Sequence, residues 1–266
     1  MAVAVSAVVL FLLYRQRGRP ALKSHPRGPR DRAEPLRAVV AGATGATGTR
    51  LVDQLLSAGH RVTALVRRET LREDNVDNVD RRHTLYREVV VPDLRDADGS
   101  VFEGQDVFFN CLGTTRAGGH APKPGDVGGA EHFVRVEVAL AKSLSEKAVA
   151  AGVKAASGVS AEGANHALLQ GHDWIKYIHP LLYVRTLGEK EQVTIRAGFE
   201  RVTIFRPGLL NRQVGEGVMR RVRDYWDLGL TVSTLASAMV RDAEASGAAP
   251  LIVIETNPLI EQSSKL

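Results

Sequence analysis

Apolar residues recur along this chain in two alternating rhythms. Ala38 to Ala41 form a short continuous apolar run, and the stretch Arg61 to Val66 forms another. Between them Leu51, Val52, Leu55 and Leu56 repeat at helical spacing, and Gly59 closes the repeat. The exchange of strand-like and helix-like pattern continues. Strands are predicted over 85–94, ending at Asp93-Leu94, over 106–115, over 154–160 and over 201–210. A long helix is predicted over 133–153, with Val134, Val138, Leu140, Ala141 and Leu144 as its apolar stripe. The 106–115 strand carries the apolar run Val107–Phe109, as a strand buried on both faces requires. Repeated strand–helix units imply an α/β fold: a doubly wound parallel sheet with right-handed crossovers and a ligand at the carboxyl ends of the strands.

The first strand–helix junction carries the chemistry. It reads AGATGATG, placing Gly42, Gly45 and Gly48 three residues apart between strand and helix. Such a turn brings backbone N–H groups close to a pyrophosphate at a helix N-terminus, where unpaired donors and the helix dipole favour an anion. Gly42, Thr44, Gly45, Ala46, Thr47 and Gly48 are therefore candidate cofactor-binding residues. At the end of the second strand, an enzyme using NAD would place Asp or Glu for the ribose 2′-hydroxyl. Arg67 and Arg68 stand there instead. Two guanidiniums suit a 2′-phosphate, so NADP(H) is favoured over NAD.

Charge narrows the function classes. Residues 1–37 hold eight Lys/Arg against Asp31 and Glu34, about +6, which leaves 38–266 near −1. A near-neutral body gives no support to nucleic-acid binding. Cys111 is the sole cysteine, which excludes an intrachain disulfide and suits a reducing compartment. His166, His172 and His179 lack metal-ligand spacing, so no metal is assigned.

The ends read as addresses. Residues 1–14 form a hydrophobic segment about 20 Å long as a helix, short for a ~30 Å hydrocarbon core. It reads as a marginal membrane anchor; a mitochondrial presequence and a disordered tail stay open. Residues 15–37 form a basic linker, 38–260 the nucleotide-binding domain and 261–266 a tail. That tail ends Ser264-Lys265-Leu266, a peroxisomal address read by an import receptor. The expected location is therefore the peroxisome or the cytosolic face of an intracellular membrane, with the mitochondrion as alternative.

The motifs AGATGATG, CLGTTRAGG, EHFVRVEVALAKSLSEKAVAAGVK, SAEGAN and FRPGLL, in that order, resemble the atypical short-chain dehydrogenase/reductases, and within them the Tat-interacting oxidoreductase family. The resemblance spans about 38–255 and implies a Rossmann domain binding NADPH. It implies that Asp93 and Leu94 hold the adenine and that Cys111, Leu112 and Gly113 line the cofactor. It further implies catalysis by Ser160, polarising a substrate oxygen, and by Tyr183, exchanging a proton with it. Active members carry a lysine one helical turn after the tyrosine, where it binds the ribose and lowers the tyrosine pKa. Here that position is Leu187. Lys190 lies seven residues from Tyr183, about 10 Å along the helix axis and too far for that local role without rearrangement. The sequence therefore supports a slow oxidoreductase of a small carbonyl or hydroxyl compound, or a non-catalytic NADPH-binding regulatory or scaffold protein. Protein partners are implied by the animal relatives this chain resembles.

Overall fold

The computed structural model describes residues 34–70, 85–114, 127–174, 178–208, 210–211, 229–245, 249–255, 260–261 and 264–265. The hydrophobic segment 1–14, nearly all of the basic linker, residues 116–126 of the glycine-rich insertion and Leu266 lie outside them. Among the described residues no helix is long and apolar enough to cross a membrane.

Strand β1 (Arg37–Ala41) leads through the glycine turn into α1 (Ala46–Ser57) and on to β2 (Arg61–Val66). β3 (Tyr86–Val90) and β4 (Val107–Asn110) follow, then α2 (Val127–Val134), a π-helical turn (Arg135–Ala139) and α3 (Leu140–Ala150). β5 (Ala155–Val159), α4 (His179–Arg196) and β6 (Arg201–Arg206) complete the part that the apolar rhythm predicts. Beyond it lie a short pair, β7 (Leu210–Asn211) with β8 (Leu230–Thr231), then α5 (Val232–Glu244) and β9 (Leu251–Glu255).

Seven strands form one sheet in the order β3-β2-β1-β4-β5-β6-β9, and every neighbouring pair is parallel. Order reverses between β1 and β4, so the crevice above their carboxyl ends is the switch point where open α/β sheets take ligands. The strands divide their side chains between two cores by simple alternation. Ala38, Val40, Val62, Ala64 and Phe109 pack on one face with Leu51 and Leu55 of α1 and Leu235 and Met239 of α5. Val39, Ala41, Leu65, Phe108 and Ile204 pack on the other with Leu144 and Ala148 of α3.

The limits of the elements depart from the apolar pattern in physically readable ways. β3 ends at Val90 because Pro92 follows, and Asp93-Leu94 belong to a 3-10 turn. β6 ends at Arg206, before Pro207. The predicted long helix is interrupted at Arg135–Ala139, where five residues wind as a π turn. α5 and β9 lie in a region the pattern leaves unassigned.

Candidate functional site

The cleft forms where three irregular segments meet above the switch point. The first is the glycine turn. Gly42 has φ +79°, a left-handed conformation, and a Cβ there would lie 2.6 Å from the carbonyl oxygen of Cys111. A Cβ on Gly48 would lie 2.1 Å from the carbonyl oxygen of Gly42. These glycines thus let the turn close onto both its own helix and the end of β4. Gly45 caps α1 without a side-chain hydrogen bond, and the first turn of the helix holds no acidic residue. Among the described residues no side chain caps its leading N–H groups, which suit an anion.

The second segment follows β4. Asn110 is buried, and its Oδ1 accepts from the N–H of Leu112 at 3.1 Å, bending the chain out of the sheet. The third is 160–166, held down at both ends. The N–H of Ser160 donates to Phe205 O (2.8 Å), that of Glu162 to Pro207 O (2.9 Å) and that of Asn165 to Val184 O (2.9 Å). Gly188, in the middle of α4, allows this approach: a Cβ there would sit 2.1 Å from the backbone nitrogen of His166.

Two adjoining lobes make up the cleft and share Gly45, Cys111, Leu112, Gly113 and Thr114. The smaller, about 270 Å³, is also lined by Gly42, Thr44, Arg67 and Leu94. The larger, about 360 Å³, is lined by Ala46, Thr47, Ser160, Tyr183 and Leu187 among others. Of the residues singled out in the sequence, Arg68 and Asp93 line neither lobe. The Asp93 carboxylate is turned to Arg95, whose backbone and guanidinium donate to it, and these bonds hold its pKa down to about 2. Gly48 lies beneath the turn and lines neither lobe.

The Ser160 hydroxyl donates to Glu191 Oε1 at 2.5 Å. Glu191 in turn accepts from Arg206 through Nε (2.8 Å) and Nη2 (2.6 Å). Arg206 also reaches Glu255 at 3.5 Å. Burial disfavours the Arg206 charge, but the hydrogen bonds and charges of Glu191 and Glu255 outweigh it and raise its pKa. The serine's one proton is therefore spent on a carboxylate that Arg206 fixes, leaving its lone pairs for the cavity. Tyr183 lies half-buried with its ring stacked on Phe133, centroids 5.9 Å apart.

Leu187, one turn beyond the tyrosine, is buried and faces the same lobe. Lys190 lines that lobe too. Its ammonium donates to Leu112 O (2.5 Å) and to Glu137 Oε2 (3.0 Å). The roles of Glu137, Glu191 and Arg206 are absent from the sequence reading. Glu137 does leave a trace there: it interrupts the buried stripe of Phe133, Ala141 and Leu144 with a charge.

Cys111 keeps some exposed surface, yet its thiol is desolvated, which pushes the pKa to about 12; the nearby Lys190 charge opposes this only in part. The thiol is therefore neutral at ordinary pH. Iodoacetamide at pH 8 is expected to label native protein far more slowly than protein in denaturant, where a cysteine ionises near 8.5. Equal rates would show that the thiol is not shielded. Because the thiolate is disfavoured in the fold, stability is undiminished below pH ~8.5 and falls as the pH rises from there toward 12.

A family model described as NAD(P)H-binding matches residues 42–252. The chain belongs to that family. The rat protein HTATIP2 is 30% identical over 235 residues, covering 83% of this chain and 86% of the rat protein. FMP52, a protein named as mitochondrial from the yeast Debaryomyces hansenii, is 27% identical over 194 residues, 71% of this chain and 74% of its own. Among solved structures, MoeE5 in complex with UDP-glucose and NAD superposes with a TM-score of 0.58 at 18% identity, covering 82% of this chain and 75% of the other. A UDP-N-acetylglucosamine 4-epimerase from Methanobrevibacter ruminantium gives 0.58 at 15%, covering 84% and 77%. The chain is thus a relative of the Tat-interacting proteins with the fold of short-chain dehydrogenase-type epimerases.

Proposed function

We propose that the cleft binds NADP(H), and that the chain is a slow oxidoreductase for a small carbonyl or hydroxyl compound. The observation that carries the reading is the glycine cradle: an uncapped helix N-terminus opens onto the cleft behind a turn whose glycines leave no room for a Cβ. The pyrophosphate would lie on Gly45, Ala46 and Thr47. Arg67 would take the 2′-phosphate, with Leu94 against the adenine and Cys111, Leu112 and Gly113 along the dinucleotide. Arg68 and Asp93, which line neither lobe, would lie outside this contact set.

When bound, the nicotinamide supplies hydride transfer. Tyr183 would hold the proton exchanged with the substrate oxygen. Ser160 would assist only after releasing its proton from Glu191, since a hydroxyl has one proton to give. That commitment and the apolar Leu187 both favour slow chemistry, and they support the second reading, an NADPH-binding regulatory or scaffold protein that uses protein partners.

The name of the fungal relatives, together with the arginine-rich, acid-poor N-terminus, supports the mitochondrial alternative over the peroxisomal one.

Fluorescence titration should give tighter binding of NADPH than of NADH, and Arg67→Ala should remove about 10- to 100-fold of the NADPH affinity. That range corresponds to one lost charge-assisted contact. NADH affinity should stay unchanged. A purified protein that binds neither nucleotide would sink the reading.

A further inference from the structure

In the superfamily this chain resembles, one lysine both holds the nucleotide and tunes the tyrosine. Here its position is Leu187, and a different lysine occupies the lobe. The Lys190 side chain is 5% exposed and that of Glu137 is 3% exposed. Their contacts bracket one stretch of backbone. Lys190 Nζ donates to the carbonyl of Leu112, and Glu137 Oε1 accepts the N–H of Thr114 at 2.7 Å. Both ends of Leu112-Gly113-Thr114 therefore rest on a single buried ion pair.

Stability does not account for such a pair. Removing two charges from water costs about what their attraction returns, so packed apolar residues commonly serve a core as well. What only the pair provides is two directional bonds to a segment that has left the sheet and has no ladder of its own. That segment lines both lobes of the cleft. Glu137 comes from the π turn, a rare winding that tends to mark functional positions. The Lys190 charge is matched by Glu137 and bonded to the Leu112 carbonyl.

We infer that Lys190 and Glu137 are positioning residues for the nicotinamide half of a bound dinucleotide, setting the Leu112–Thr114 backbone on which that half lies. The inference rests on the NADP(H) reading above. It gives the holding of the nucleotide to a lysine other than the one the family uses.

The test compares two ligands, NADPH and adenosine 2′,5′-bisphosphate, which keeps the adenine, the 2′-phosphate and the adenosine-side phosphate but lacks the nicotinamide half with its own phosphate. Wild type should bind both. Lys190→Met should weaken NADPH about tenfold while bisphosphate affinity changes by no more than about threefold: the Leu112–Thr114 backbone lines both lobes, but the adenine and 2′-phosphate would also rest on the glycine turn, Arg67 and Leu94. General loosening of the fold would lower both affinities together, so the ratio separates positioning from mere structure. Lys190→Met leaves Glu137 buried without its partner and is liable to misfold. The double variant Glu137→Leu/Lys190→Met, which makes the pair apolar, then decides. A folded variant with unchanged NADPH affinity, or with equal losses for both ligands, overturns the inference. Wild type binding neither ligand removes the NADP(H) reading itself.

Discussion

Replacing Gly48 with alanine is expected to abolish useful NADPH binding while leaving a folded, less stable protein. Inside a helix, Gly→Ala ordinarily stabilises by up to ~1 kcal/mol. Here the new methyl would lie 2.1 Å from the carbonyl oxygen of Gly42 and 2.8 Å from its carbon. Both are backbone atoms, so no side chain can swing away. That carbonyl also closes the turn, accepting from the N–H of Gly45 at 3.0 Å. Either α1 or the turn must shift by a sizeable fraction of an ångström. Overpacking of this kind costs about 1–3 kcal/mol of stability. Misaligned turn N–H groups would lose contacts to the pyrophosphate, an affinity drop of about 100-fold or ~2.7 kcal/mol. Gly99→Ala provides the control. Its Cβ would meet nothing within 4 Å, so both Tm and NADPH affinity should match wild type. Undiminished NADPH binding by Gly48→Ala would remove the glycine cradle from the site.

The parts of this site that were legible in the sequence are those built from local pattern. The Gly42–Gly48 spacing sits between two apolar runs, and each glycine answers a steric demand within a few residues or across one strand. β2 keeps its expected limits because its neighbours enforce them: Gly59 (φ +81°) reverses the chain before it, and charged Arg67 and Arg68 follow. What stayed hidden depends on residues brought together from afar. Lys190 and Glu137 are 53 positions apart, and Glu191 meets Ser160 across 31. Each reads as a solvated charge on a helix until the fold shows it buried. For Asp93 the family resemblance implies an adenine contact, while its short side chain caps the 3-10 turn beginning at Leu94. Axial rise places Lys190 two turns from Tyr183, and only the fold shows that its four-carbon side chain also reaches the lining of the lobe.

Leu187→Lys is expected to place a cation one helical turn from Tyr183, at the position where active relatives carry it, and with it to give faster chemistry. Leu187 is buried, stands one helical turn from the tyrosine and lines the same lobe, whose volume of about 360 Å³ leaves room for a longer side chain. An ammonium at such spacing typically lowers a neighbouring acid's pKa by about 1–3 units. The new charge must tolerate Lys190 one turn further on, but Glu137, paired with Lys190 at 3.0 Å, already offsets that charge. Tyrosine labelled with carbon-13 at the ring carbon bearing oxygen gives a readout that needs no substrate. The Tyr183 resonance should titrate at lower pH in the variant than in wild type. With NADP+ and a panel of small secondary alcohols, turnover at neutral pH should rise about tenfold for each unit of that shift, as long as proton transfer limits the rate. The pH–rate profile should move toward acid by the same amount. A shifted tyrosine without any gain in turnover would favour the regulatory reading, and would turn attention to Ser160, whose proton Glu191 and Arg206 still hold. An unshifted tyrosine would mean that its hydroxyl does not face the position of Leu187, and the assignment of Tyr183 as proton donor would fall.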